Sequence, residues 1–129
     1  MSAGSDILII EDDPILRDAL AAWLQGAGYS VRQTTDGRAG LAAVNRAPPP
    51  ALVVTDIHMP GTSGTAVIAE LKQKHPGIPI IAISGLFHSR HGVSADTALA
   101  LGAARALAKP FKRAELLSAV TELLGSPAP

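Results

Sequence analysis

"ILIIEDDP", residues Ile7 to Pro14, runs four apolar residues straight into three consecutive carboxylates and a proline. An unbroken apolar run of this length fits a buried strand, because strands covered on both faces lose the apolar-polar alternation of half-exposed ones. The acids then stand at the strand's carboxyl end. Apolar runs followed by helical patterns recur along the rest of the chain. The other strand candidates are Tyr29 to Gln33, Ala51 to Thr55, Ile78 to Ser84 and Ala104 to Ala108, after a first strand over Ile7 to Ile10. Between the first two, Ile15, Leu16, Ala19, Leu20, Trp23 and Leu24 fall on one helical face, and the pattern stops at "QGAG". Further helices are expected from Asp36 to about Arg46, from Thr65 to about Lys74, from near Ser94 to Gly102, and across Leu116 to Leu124. Five βα units in succession imply an α/β fold, a parallel sheet with helices on both faces.

Composition narrows the function classes. The 129 residues, 47% hydrophobic, suffice for one buried core and not for two, so a single domain without a separate output module is expected. Eleven basic side chains balance eleven acidic ones, which lacks the electrostatic footprint of a nucleic-acid binder. The absence of cysteine excludes a disulfide scaffold and a thiolate metal site. The first residues carry no basic region, unlike a signal peptide, and no apolar run approaches the ~20 residues of a membrane helix. The expectation is a cytoplasmic domain over residues 6–124 with short tails at 1–5 and 125–129.

In open parallel sheets ligands bind beyond the carboxyl ends of the strands. Glu11, Asp12 and Asp13 stand there after the first expected strand, Asp56 after the third, Ser84 at the end of the fourth and Lys109 after the fifth. Clustered carboxylates raise one another's pKa unless a cation intervenes. Mg2+ suits such a site, being bound by one or two carboxylates together with water and phosphate oxygens, without His or Cys side chains. Lys109 can meet a phosphoryl oxygen as a compact charge, and Ser84 can donate to another. Together these groups would neutralise a transferring phosphoryl group while a carboxylate attacks in line, with Asp56 as the candidate nucleophile.

With these residues in place the chain resembles a bacterial response-regulator receiver domain, of the chemotaxis-regulator kind, over roughly Asp6 to Leu124. The motifs that carry the resemblance are "IIEDDP", "VVTDIHMPGTSG" with Asp56 at the acceptor position, "IAISG" with Ser84 at the hydroxyl position, and "AKPF" with Lys109 and Pro110. The resemblance implies a flavodoxin-like (βα)5 fold with strand order 2-1-3-4-5. It further implies that Asp56 accepts a phosphoryl group from phosphohistidine on a sensor histidine kinase or a histidine phosphotransfer protein, and that an output protein binds according to phosphorylation state. It assigns Asp12 as the direct Mg2+ ligand, Glu11 as the water-mediated one and the main-chain carbonyl of His58 as the third. The His58 side chain falls where the family tunes phosphoryl lifetime.

Each residue also has an ordinary reading. Asp13 before Pro14 fits a helix N-cap better than a metal ligand. His88 and His91 fit an exposed loop, His75 a helix end, and Trp23 the core. Two departures from the family stand out. Ala106 occupies the position, three before the lysine, of a Tyr or Phe that swings inward on phosphorylation, and alanine has no rotamer to switch. The stretch between Ser84 and Lys109 is also longer than usual, the excess falling in "GLFHSRHGV". A loop at 85–93 is therefore expected to carry the signal, with Phe87 or Arg90 in the aromatic's role, unless Asp56 serves as a relay or sink that needs little movement.

Two rival functions remain open. A Mg2+-dependent phosphohydrolase with an aspartyl-phosphate intermediate would carry a second Asp two residues past the nucleophile, where this chain has His58, and it would need a cap domain. A flavodoxin-like cofactor binder would need a glycine- and hydroxyl-rich phosphate loop after the first strand, where "EDDP" would repel phosphate.

Overall fold

Ile7, Leu8, Ile9 and Ile10 are all fully buried, and they divide by parity. Successive side chains of a strand point to opposite faces, so one strand feeds two cores. Ile7 and Ile9 join one cluster with Leu52, Val54, Ile81 and Ile83. Leu8 and Ile10 join the other with Val53, Ile80 and Ala82. The computed structural model describes residues 6–46, 48–58, 63–85 and 95–125. Among them the elements alternate as β1 (Asp6–Ile10), α1 (Pro14–Gly26), β2 (Ser30–Thr34), α2 (Gly37–Val44), β3 (Leu52–Asp56), α3 (Gly64–Lys74), β4 (Ile80–Ser84), α4 (Ala95–Leu101), β5 (Arg105–Ala108) and α5 (Arg113–Leu124). The strands form one sheet in the order β2-β1-β3-β4-β5, and every pairing is parallel. This is the flavodoxin-like (βα)5 fold that the motifs imply.

α1 and α5 cover one face, where Leu20, Leu24, Leu116 and Val120 complete the first cluster. α2, α3 and α4 cover the other through Val44, Val67, Ile68, Leu71 and Ala98. α2 lies close on β1 because Gly40 has no side chain; a Cβ there would overlap the Ile10 side chain. Helix starts follow local chemistry. Asp13 caps α1 through the Ile15 amide at 3.0 Å with Pro14 as its first residue, and Asp36 caps α2 through the Ala39 amide at 2.8 Å. In α5 the Glu115 carboxylate accepts from the Lys112 amide at 3.0 Å.

Several boundaries and burials differ from expectation. β2 begins at Ser30 and is only half-buried along its length, because it is an edge strand with one neighbour. Tyr29 sits just before it, buried, with its hydroxyl donating to the Gly125 carbonyl at 3.0 Å. β4 starts at Ile80 and not Ile78, since pairing with β3 begins at Val53 opposite Ile80. Ile15 shares the apolar spacing of α1 yet is 81% exposed, whereas Leu16 beside it packs against the first cluster. Trp23 is half-buried at the margin of its cluster, edge-on to Phe111 with ring centroids 6.4 Å apart. His75 does end α3, with Nε2 2.9 Å from Asn45 Oδ1. No helix of the described residues is long and apolar enough to cross a membrane.

Candidate phosphoacceptor site

Sheet register brings the expected residues together. Ile10 lies opposite Thr55, so the next residues, Glu11 and Asp56, leave adjacent strands side by side. Asp56 lies opposite Ile83, and Ser84 opposite Ala108, which delivers Ser84 and Lys109 to the same edge. Glu11, Asp56 and Ser84 are buried, while Asp12 is exposed. Lys109 Nζ joins the two buried acids, donating to Asp56 Oδ2 at 2.5 Å and to Glu11 Oε1 at 3.1 Å. One carboxylate oxygen from each of Glu11, Asp12 and Asp56 lies within 4.8 Å of the others.

Backbone and side-chain donors hold these carboxylates. The Asp13 amide donates to Glu11 Oε2 at 3.1 Å, and the His58 amide donates to Asp56 Oδ1 at 2.8 Å. Asp56 therefore accepts a main-chain hydrogen bond on one oxygen and a lysine on the other. The His58 ring reaches across to β4, with Nδ1 2.6 Å from Ser84 Oγ. Asp13 joins the site only through its amide, since its carboxylate is spent on the helix cap.

Electrostatics of the cluster are lopsided. Burial pushes the Glu11 carboxyl from an ordinary 4.5 to about 7; the Asp56 charge adds to this, against the Asp13 amide and Lys109. At Lys109 burial by itself would lower the pKa, but the hydrogen bonds and charges of Asp56 and Glu11 outweigh it and raise the ammonium above its usual range. Lys109 thus stays charged at neutral pH and, among the described residues, is the one lysine bonded to Glu11 and Asp56. Among the described residues, the oxygen-only donor set and its spacing fit a hard divalent cation.

Two contributors were not read from the sequence. Arg17 donates from Nη1 to the Glu11 carbonyl at 3.0 Å and, at 3.5 Å, to that of Asp12, so one turn of α1 pins the acidic loop. Gly64, the first residue of α3, packs so closely on the end of β3 that a Cβ would overlap Ile57 Cα and crowd the Asp56 carbonyl, 2.7 Å away. Arg17 follows Asp13 by one helical turn, a spacing that could have suggested the contact; Gly64 gives no sequence signal beyond being glycine. Residues 59–62 and 86–94, with Met59, Pro60, Phe87, His88, Arg90 and His91 among them, lie outside the described residues.

The family model of the response regulator receiver domain matches residues 7–121, which takes in every element of the sheet and all the residues gathered at its edge. The chain belongs to the response regulator receiver domain family. It is 36% identical over 130 residues to the transcriptional regulatory protein FixJ of Azorhizobium caulinodans, covering 97% of this chain and 57% of that protein. Among solved structures, it is similar to the receiver domain of NtrX from Brucella abortus, with 33% identity, a TM-score of 0.83 and coverage of 92% of this chain and 98% of that one. It is also similar to the chemotaxis protein CheY4 of Vibrio cholerae, with 26% identity, a TM-score of 0.81 and coverage of 93% and 98%. The chain spans 57% of FixJ and 26% of the Pseudomonas aeruginosa regulator DctD, so it corresponds to one part of those longer regulators. Receiver domains are signalling domains that interact with sensor kinases and generally bind Mg2+ at an acidic pocket; in this chain Glu11, Asp12 and Asp56 form an acidic cluster at the corresponding edge.

Proposed function

We propose that this receiver domain, over residues 6–124, takes a phosphoryl group from phosphohistidine of a sensor histidine kinase or phosphotransfer protein onto Asp56, in the cytoplasm. The observation that carries the reading is the Asp56 carboxylate itself, buried and held between the His58 amide and Lys109, beside an acidic pair. In the transfer an Asp56 carboxylate oxygen forms a bond to phosphorus as the bond from phosphorus to the histidine nitrogen breaks. Lys109 passes from the carboxylate to a phosphoryl oxygen, and Ser84 donates to another. Glu11, Asp12 and the His58 carbonyl would hold Mg2+, which supplies positive charge to the phosphoryl oxygens and the carboxylate. The domain is a phosphoacceptor rather than an enzyme acting on a free substrate, and the signal passes to an output protein through altered binding. Ala106 lies opposite Ala82 and offers only a methyl group, so switching does not use an aromatic at that position.

A small-molecule phosphodonor tests this directly. Wild type is expected to label in the presence of Mg2+, and Asp56→Asn to lose the label. Asp12→Asn should also abolish Mg2+-dependent labelling, whereas Asp13→Asn, which can still cap α1, should retain it within about twofold. Steady turnover of free phosphoesters by the wild type would overturn the reading.

A further inference from the structure

His58 touches both halves of the site. Its amide fixes Asp56 Oδ1 at 2.8 Å, and its imidazole Nδ1 lies 2.6 Å from Ser84 Oγ. The ring therefore spans from the end of β3 to the end of β4, beyond the last paired residues of the two strands. Ser84 is fully buried, so its hydroxyl cannot trade this contact for bulk water. A hydroxyl has one proton and a directional pair of lone pairs; turning it toward a phosphoryl oxygen on Asp56 changes the distance and angle to Nδ1. On the other side of Ser84, β5 presents Ala108 opposite it and Ala106 two residues earlier, both without a rotamer to follow the hydroxyl. Among the described residues, a side chain that meets Ser84 Oγ and does have one is the His58 imidazole.

We infer that His58 is the positioning residue for Ser84: its imidazole holds the hydroxyl in the unphosphorylated arrangement and is displaced when Ser84 turns to the phosphoryl group, the part an aromatic at position 106 would otherwise play. This rests on the phosphoacceptor reading of Asp56 and adds a specific route to it. The consequence is energetic as well as geometric. Holding Ser84 elsewhere opposes the phosphorylated form by the differential strength of one hydrogen bond, and a site can shift an equilibrium only by such a difference. Removing the imidazole should therefore favour the phosphorylated arrangement. Movement would leave the site at the β3 end, beside His58, instead of along β5.

A double-mutant cycle with beryllofluoride, a phosphoryl mimic, in the presence of Mg2+ tests the inference. By calorimetry, His58→Leu should bind the mimic about fivefold more tightly than wild type, the equivalent of one ordinary hydrogen bond. His58→Asn, whose amide can replace Nδ1, should return affinity to within about twofold of wild type. In the Ser84→Ala background, His58→Leu should change nothing. An equal change in both backgrounds, or weaker binding in His58→Leu, would overturn the inference and show that His58 acts on the phosphoryl group without Ser84. A second measurement needs no metal or mimic: the His58 Nδ1 nitrogen resonance should move in Ser84→Ala, and a resonance that stays in place overturns the inference too. Wild type that binds no beryllofluoride while keeping the His58 to Ser84 signature would instead sink the phosphoacceptor reading.

Discussion

Glu11 has lost all its water and shares one lysine with a second buried acid. Its carboxyl titrates near 7 when folded and near 4.5 when not, so the folded domain binds this proton more tightly than the unfolded chain does. The sign follows from linkage. Below about pH 4.5 the group is protonated in both states and its burial costs little. As pH rises from there toward 7 the unfolded chain releases this proton while the folded domain keeps it, so the metal-free domain loses stability across that window. A cation that meets Glu11 has to displace the same proton. Mg2+ affinity is therefore expected to rise roughly tenfold between about pH 5.5 and 6.5 and to level off above 7, as calorimetric titration would measure. Glu11→Gln should flatten that profile; a profile of unchanged slope would mean that the proton belongs to another group.

At the scale of elements, glycines decide how close a helix can come, and two of them separate structure from function. Gly40 sets α2 against β1 in the core, away from the acids, whereas Gly64 sets α3 against the peptide that follows Asp56. Gly40→Ala is expected to cost about 1–3 kcal/mol in denaturant unfolding and leave the phosphorylation rate per folded molecule near wild type. Gly64→Ala should slow phosphorylation at least tenfold, because the backbone that must give way is the one aiming Asp56. Similar rates in the two variants would contradict this. Legibility at this scale follows the range of the interaction involved. α1 and α2 could be placed from Asp13, Pro14 and Asp36, whose caps act within three residues of chain. The ends of β2 and β4 slipped by one or two residues, because a strand ends where its neighbour stops pairing. Spacing puts Ile15 on the apolar face of α1, but whether the core reaches that position is set by tertiary packing, which spacing alone does not encode.

For the molecule as a whole, both cores are built on the same strands, alternate side chains of β1 serving each. A cavity on one side therefore loosens the sheet that the other side needs. Ile9→Ala, facing α1 and α5, is expected to cost about 2–5 kcal/mol and to raise hydrogen exchange in α2 and α3 as much as in α1 and α5. Exchange confined to the near helices would show two independent halves. The same architecture makes the acidic site legible in the sequence: a parallel sheet sends all its carboxyl ends to one edge, so residues far apart in sequence gather without further information. Side-chain pairings across that edge, such as His58 with Ser84 or Arg17 with the acidic loop, depend on rotamers and on which lone pair faces which donor. Those do not follow from strand order.

The hydrogen bond from Tyr29 to Gly125 sits at the opposite end of the sheet from the carboxylates, where strands begin. It anchors the end of α5 there, about 16 Å from the acids for strands of five residues at ~3.3 Å each. Anything fused beyond Gly125 is tethered on the far side from the chemistry and sweeps its reach around that end. Among the described residues Asp12 and Ile15 are exposed at the opposite rim, so on the proposed function donor and cargo would approach the domain from opposite poles.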